Sequence, residues 1–372
     1  VDIIQPDYKV IARQLIRVSA RVQPGEAVTI LGRADSLEFC EALELECRRV
    51  GALPLVVVGS DSALLAALSD PDVTLEQLAS SSPPLLAALK ASDLVITTFF
   101  ERANPLAFHP PHILPERIEA QRRSEVAPSD IIFDGKRRWL GTEIPTPAQA
   151  EALGCQWETL HNNFWEAMQA DYVAIGVQAE KVKARLSGAQ EVRILADNGT
   201  DLTLKIGGRP LECDDGIISE QDIQAGALYL NMPSGEVCFA PPEYSAQGRA
   251  VVEAAFWQGR VVRELVLNFD TGLASAISAA EGLELFREVV GGGGKDGARL
   301  GEFGIGLNPA IERVIGFTLL DEKIYGTIHL ALGENRPLGG TNNSQIHWDL
   351  VLSKVTVLVD GLPLLQDGKL LV

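Results

Sequence analysis

Leu55-Val56-Val57-Val58 stands between Gly51, which closes a helical pattern over residues 36–50, and Gly59. A short apolar run rich in β-branched residues, entered from a helix through a glycine, reads as a strand buried on both faces. The same unit recurs on either side. Helical spacing over residues 8–22 leads into apolar Ala27 to Leu31, ending at Gly32, and a helical pattern at 83–91 precedes Leu94-Val95-Ile96-Thr97. Ile131-Ile132-Phe133 is the expected fourth strand. Short apolar strands alternating with helices point to a parallel sheet, so residues 1–188 are expected to form an α/β domain, with helical residues 146–187 as its hinge. The first strand runs into Leu31-Gly32-Arg33-Ala34-Asp35-Ser36, which has neither a Gly-rich dinucleotide fingerprint nor a phosphate loop. This half therefore reads as a scaffold.

From Val192 the period changes. Ile194 to Asp197, a turn at Asn198-Gly199-Thr200 and alternating Leu202, Leu204 and Ile206 spell a β-hairpin. Further strands are expected at 226–231, 249–256, 261–268, 326–332, 347–352 and 355–359, with one helix near 280–290 and a flexible surface connection at Gly291 to Gly294. Residues 189–372 are thus expected to be an α+β domain rich in antiparallel strands.

Composition removes several function classes. A net charge of −18 without a basic run argues against nucleic acid, whose phosphates need clustered Lys and Arg. No apolar run approaches the ~20 residues of a membrane helix, and the N-terminal residues lack a signal-peptide pattern, so a cytoplasmic home is expected. Cys40, Cys47, Cys155, Cys213 and Cys238 are scattered without a Cys-x-x-Cys pair, which predicts buried free thiols in a reducing compartment.

The chemistry is concentrated in the second half. Of the five histidines, His109 and His112 sit among prolines and read as solvated loop residues, and His161 as a surface or domain-contact residue. His329 and His347 instead lie in strand-patterned segments, Thr327-Ile328-His329-Leu330-Ala331-Leu332-Gly333 and Ile346-His347-Trp348-Asp349-Leu350. His347 and Asp349 are two apart on a strand, so both point to one face and together offer an imidazole and a carboxylate. Glu236 and Glu302 each follow a glycine in apolar surroundings, where a buried carboxylate is costly unless a cation compensates it. Glycine at such a step lets metal or substrate approach the backbone. Three carboxylates with two imidazoles suit a pair of Zn, Mn or Co ions. Such a pair activates a shared water and polarises a carbonyl, which serves hydrolysis of amides or phosphate esters.

Four segments in order carry a resemblance: Asn231-Met232-Pro233-Ser234-Gly235-Glu236-Val237 with Ala240-Pro241; Gly301-Glu302 with Gly306-Leu307-Asn308-Pro309-Ala310-Ile311; Gly326 to Gly333 around His329; and His347-Trp348-Asp349. The chain resembles the thermophilic aminopeptidase family, typified by aminopeptidases T and S, clearly after residue 226 and more loosely before it. The resemblance implies a two-metal exopeptidase acting on peptide N-termini, commonly with zinc, cobalt or manganese, and a homodimer enclosing the site. Carried over by motif position, the metal ligands are Glu236, Glu302, His329, His347 and Asp349, with Glu302 as a bridge.

Two features depart from the family pattern. The tyrosine expected a few residues after His329 is missing from Gly333-Glu334-Asn335-Arg336-Pro337, which leaves Arg336 as the candidate oxyanion stabiliser. The acidic residue before that histidine is Glu322, seven positions ahead, a candidate ligand, general base or surface turn residue. The rival readings are a mononuclear iron ring-cleaving dioxygenase of the dihydroxypyridine type, and a metal-binding homologue without peptidase activity. Retention of Glu302 and His329 favours the hydrolase.

Overall fold

The computed structural model describes residues 2–99 and 112–372. His109 lies outside the described residues, and His112 is exposed in a turn. Contacts divide the chain into two units, Asp2–Ala152 with Gly216–Met232, and Leu153–Asp215 with Pro233–Val372.

The first unit is built on β1 (Ala27–Arg33), β2 (Leu53–Gly59), β3 (Leu94–Thr97) and β4 (Arg138–Thr142), joined by a late strand, β8 (Tyr229–Met232). The order is β2-β1-β3-β4-β8, and every pair is parallel. Helix Leu37–Arg49 packs on β1 and β2 with Phe39, Cys40, Leu43 and Cys47 buried, as its helical period requires. The apolar run that announces the sheet is nonetheless its edge: Leu53, Leu55 and Val58 of β2 stay 65%, 47% and 41% exposed. A strand with one neighbour leaves its side chains at the margin of the covered area, so apolar composition did not mean burial here.

Ile131-Ile132-Phe133 is not a strand. It ends helix Val126–Ile132, and the fourth strand is Arg138–Thr142, fully buried although it begins with arginine. Arg138 is accommodated by a 2.5 Å pair with Glu26 and a hydrogen bond to the Ala20 carbonyl, which together satisfy a guanidinium cut off from water.

The second unit holds two antiparallel sheets. One has eight strands, with β5 (Glu191–Leu195), β6 (Asp201–Lys205), β10 (Gln247–Trp257), β11 (Arg260–Asp270), β12 (Leu273–Ser278), β16 (Thr356–Val359), β17 (Leu362–Gln366) and β18 (Lys369–Leu370). The expected hairpin is its β5–β6 pair. The other sheet runs β15-β14-β13-β9-β7, from β15 (His347–Leu352), β14 (Ile328–Gly333), β13 (Leu300–Gly306), β9 (Glu236–Phe239) and β7 (Glu212–Asp214). β9, β13 and β14 are buried along their whole length.

Where sequence pattern suggests one crossing after residue 188, contacts cross after Ala152 and again around 216–232. Helix Trp157–Met168 packs on helix Thr318–Asp321, and helix Tyr172–Leu186 on β7 and β9, so both go with the second unit. Gly291 and Gly292 end helix Leu283–Gly292 in place of a flexible connection. None of the cysteines is paired; Cys40, Cys47 and Cys238 are buried, Cys155 and Cys213 half-buried. Among the described residues no helix is long and apolar enough to cross a membrane.

Candidate metal centre

The five-stranded antiparallel sheet gathers all five expected ligands on one face. Glu302 of β13 stands opposite Ala331 of β14, which stands opposite Asp349 of β15. The next row aligns Cys238, Gly304, His329 and Val351, and Glu236 of β9 stands opposite Gly306. Residues opposite one another in an antiparallel pair project to the same side, and so do residues two apart. The positions between the ligands are small: Gly304, Gly306 and Ala331. A β-carbon on Gly304 would lie 2.1 Å from the His329 ring, so glycine there makes room for that imidazole.

Gly235 precedes Glu236 with φ +133° and lies against Asn308, where a β-carbon would come within 2.9 Å. A side chain would be both strained and blocked. The space beside Gly235 is thus taken by Asn308, and that beside Gly301 by the Gly333 carbonyl, rather than being left for a metal or substrate as the Gly-Glu steps suggested.

The ligand atoms form two groups that share Glu302. Glu236, Glu302 and His329 place one atom each within 4.8 Å of one another, and so do Glu302, His347 and Asp349. Glu302 divides its carboxylate between them, Oε1 at 3.2 Å from His329 Nε2 and Oε2 at 3.2 Å from His347 Nε2. Each imidazole is oriented from behind. His329 Nδ1 donates to the Glu322 carbonyl at 3.1 Å and His347 Nδ1 to the Glu334 carbonyl at 2.8 Å, which aims both Nε2 atoms into the cluster. A backbone carbonyl on the far nitrogen is the usual support of a metal-bound histidine.

Whether the residues suit a cation can be judged from the polar atoms themselves. Glu236 Oε2 and Asp349 Oδ1 are buried without a hydrogen-bond partner. Such oxygens are costly unless something positive sits against them. The imidazoles register the same demand. Burial opposes charge on His329, yet Glu302 and Glu236 overcome it and hold the ring up at about 10. Burial likewise opposes charge on His347, and Asp349 and Glu302 raise it well above its ordinary value. For Glu302, burial works against ionisation, but the two histidines hold its carboxyl far below the usual carboxylate range. Oxygen and imidazole donors with unsatisfied negative charge fit divalent Zn, Mn or Co.

Glu322 sits beside the cluster, with its carboxylate 2.5 Å from Lys323 Nζ. Burial first, then the negative neighbours Glu236 and Asp349, push it up to about 8 against the pull of Lys323. Arg336 belongs to neither group. Its guanidinium is 58% exposed and pairs with Glu334 at 2.6 Å, and the Glu334 carbonyl is the one that holds His347. Two members escape a reading by motif. Lys323 is fully buried against Glu236, Glu322 and Asp214, and Asp214 comes from the short strand β7. Nothing local marks either one, because the contacts that bury Lys323 with Glu236 and Asp214 join residues far apart in sequence.

The sequence profile described as thermophilic metalloprotease (M29) matches residues 5–370. No curated protein matches the sequence. Among solved structures, wild-type AmpT from Thermus thermophilus is similar with a TM-score of 0.74 and 21% identity, over 98% of this chain and 99% of that one. A 2,5-dihydroxypyridine dioxygenase from Pseudomonas putida KT2440 is similar with a TM-score of 0.66 and 18% identity, over 98% and 96%. At these identities both likenesses establish the fold, which is shared by a hydrolase-type and an oxygenase-type protein, and leave activity to the site. The family match spans nearly the whole chain, and the protein belongs to the thermophilic metalloprotease family M29, a family of metal-dependent peptide hydrolases.

Proposed function

We propose that the protein is a two-metal aminopeptidase that removes N-terminal residues from peptides. The observation that carries this reading is the division of Glu302, whose two oxygens face two different histidines. One ion would be held by Glu236, Glu302 and His329, the other by Glu302, His347 and Asp349. Charge supports the count: with both imidazoles neutral as ligands, the carboxylates of Asp214, Glu236, Glu302 and Asp349, against the single ammonium of Lys323, leave a deficit that two divalent ions sharing a hydroxide would neutralise. Zinc, cobalt or manganese suits these donors, and when bound would supply an acidified water and Lewis-acid polarisation of a carbonyl.

The chain's own residues complete the chemistry. Glu322, whose carboxyl lies near neutrality, is placed to take a proton and return it to the leaving amine, a general acid–base role worth about 10²–10⁴-fold. Lys323 and the two backbone carbonyls hold the cluster in register. Arg336 steadies Glu334, and through it His347, in this assignment. A homodimer in the cytoplasm completes the reading.

The experiment is metal analysis followed by a panel of aminoacyl-p-nitroanilides with Zn, Co and Mn. Two ions per chain and turnover of a free-amine substrate, with none for its N-acetylated form, are expected. A single bound iron with no hydrolysis would replace this reading with the oxygenase one. Sedimentation of the full chain tests the dimer.

A further inference from the structure

Lys323 follows helix Thr318–Asp321 and is 0% exposed. An ammonium removed from water is costly unless it is paired on several sides. Lys323 is so paired: its Nζ lies 2.9 Å from Glu236 Oε1, 2.5 Å from Glu322 Oε1 and 3.4 Å from Asp214 Oδ2. The frame continues behind it. Ser234 Oγ donates to Asp214 Oδ1 at 2.9 Å, and Asn308 Nδ2 donates to the Ser234 carbonyl at 2.8 Å.

This arrangement makes the two oxygens of Glu236 unequal. Oε1 is taken by Lys323, whereas Oε2 is buried without a hydrogen-bond partner, 3.4 Å from His329 Nε2. The same ammonium holds Glu322, whose backbone carbonyl accepts from His329 Nδ1. Lys323 therefore acts on two arms of the Glu236–Glu302–His329 group. Among the described residues no lysine or arginine pairs with Asp349, and Arg336 reaches His347 only through Glu334, so in the other group no cation fixes a ligand carboxylate directly.

We propose that Lys323 is a positioning residue of the metal centre, turning Glu236 so that Oε2 alone is offered to the ion shared with Glu302 and His329. The proposal rests on the two-ion reading above. Its action is through orientation, which must be separated from the charge Lys323 also carries. The variant D214N/K323M removes one negative and one positive charge together, so the net charge of the cluster is kept while the ammonium is lost.

The test is titration of chelator-stripped, full-length protein with Co²⁺, for wild type, D214N, E236Q and D214N/K323M, followed by visible absorption and equilibrium dialysis. Wild type should take two ions, and D214N, which removes one carboxylate from around Lys323, sets the baseline against which the double variant is read. D214N/K323M should bind one ion about 10–100-fold more weakly than D214N does, the usual cost of losing an outer partner, and leave the other unchanged. E236Q should weaken the same step. D214N affinity for both ions in D214N/K323M would overturn the proposal. If wild type takes one ion, the two-ion reading fails and Lys323 is judged by the fold-change on that ion. No Co²⁺ binding overturns both. Should the double variant not fold, a crystal structure of the Co²⁺-loaded wild type decides. Lys323 on Oε1 with the ion on Oε2 is expected; an ion on both oxygens, or a displaced lysine, refutes it.

Discussion

Glu302→Gln touches both the stability of the fold and the chemistry of the site. In the metal-free protein Glu302 accepts from both His329 and His347. Hydrogen bonds to charged groups contribute about 1.5–3 kcal/mol each. Against that loss, the variant no longer confines a carboxylate away from water, a cost of roughly several kcal/mol per ion. Each histidine also keeps a second carboxylate at 3.4 Å, Glu236 for His329 and Asp349 for His347. The lowered Glu302 carboxyl means that the two histidines outweigh the cost of burial, so the metal-free variant should lose about 3–5 kcal/mol, as when one partner of a buried pair is removed. Metal binding is a separate loss, because on the two-ion reading both ions lose an anionic ligand. Loss of an outer partner alone costs about 10–100-fold, so a shared ligand should cost at least about 100-fold per ion, or about 2.7 kcal/mol each. Urea unfolding of the stripped proteins, metal content after dialysis at fixed free Zn²⁺, and hydrolysis of leucyl-p-nitroanilide give the three readouts. A Glu302→Gln protein that keeps two ions and hydrolyses within tenfold of wild type would refute the role of Glu302 as the shared ligand.

Burial pushes the Glu143 carboxyl up to about 7, against Arg33 and a hydrogen bond from Gln149. An acid raised on folding favours the protonated folded state, so stability is greatest below the unfolded value and declines as pH rises towards 7, by up to about 3 kcal/mol. Glu143→Gln should flatten that decline and unfold at higher urea than wild type at pH 8; an unchanged pH dependence would reject the assignment. Arg336→Ala should keep its metal and lose less than about tenfold in kcat, whereas a loss of 10²–10³-fold would restore it as an oxyanion stabiliser. With His329 held at about 10 and His347 well above its ordinary value, both rings carry protons at pH 8 until an ion replaces them. Calorimetric Zn²⁺ titration in buffers of different ionisation enthalpy should register release of about two protons, and none would contradict the assigned Nε2 ligation.

The residues differ in how plainly the sequence announces them, and the differences have physical causes. His347 and Asp349 were legible because the strand period of two is a local property. His329, Glu236 and Glu302 were legible because a charged or polar residue inside an apolar strand needs compensation from somewhere. Alternation of apolar strands and helices likewise sufficed for the α/β and antiparallel character of the two halves. Tertiary structure alone decided the rest. The fourth strand is Arg138–Thr142 and not Ile131-Ile132-Phe133, because a partner for Arg138 exists only once Glu26 is brought beside it. β8 joins the parallel sheet through a pairing with β4 that no local pattern encodes. Lys323, in an Asp-Glu-Lys turn, has the look of a solvated surface lysine. Its burial depends on Glu236, 87 residues away, and on Asp214, both delivered by strands of the same sheet. Periodicity reports which face a residue takes; which charges meet on that face is a long-range fact, and only the folded chain supplies it.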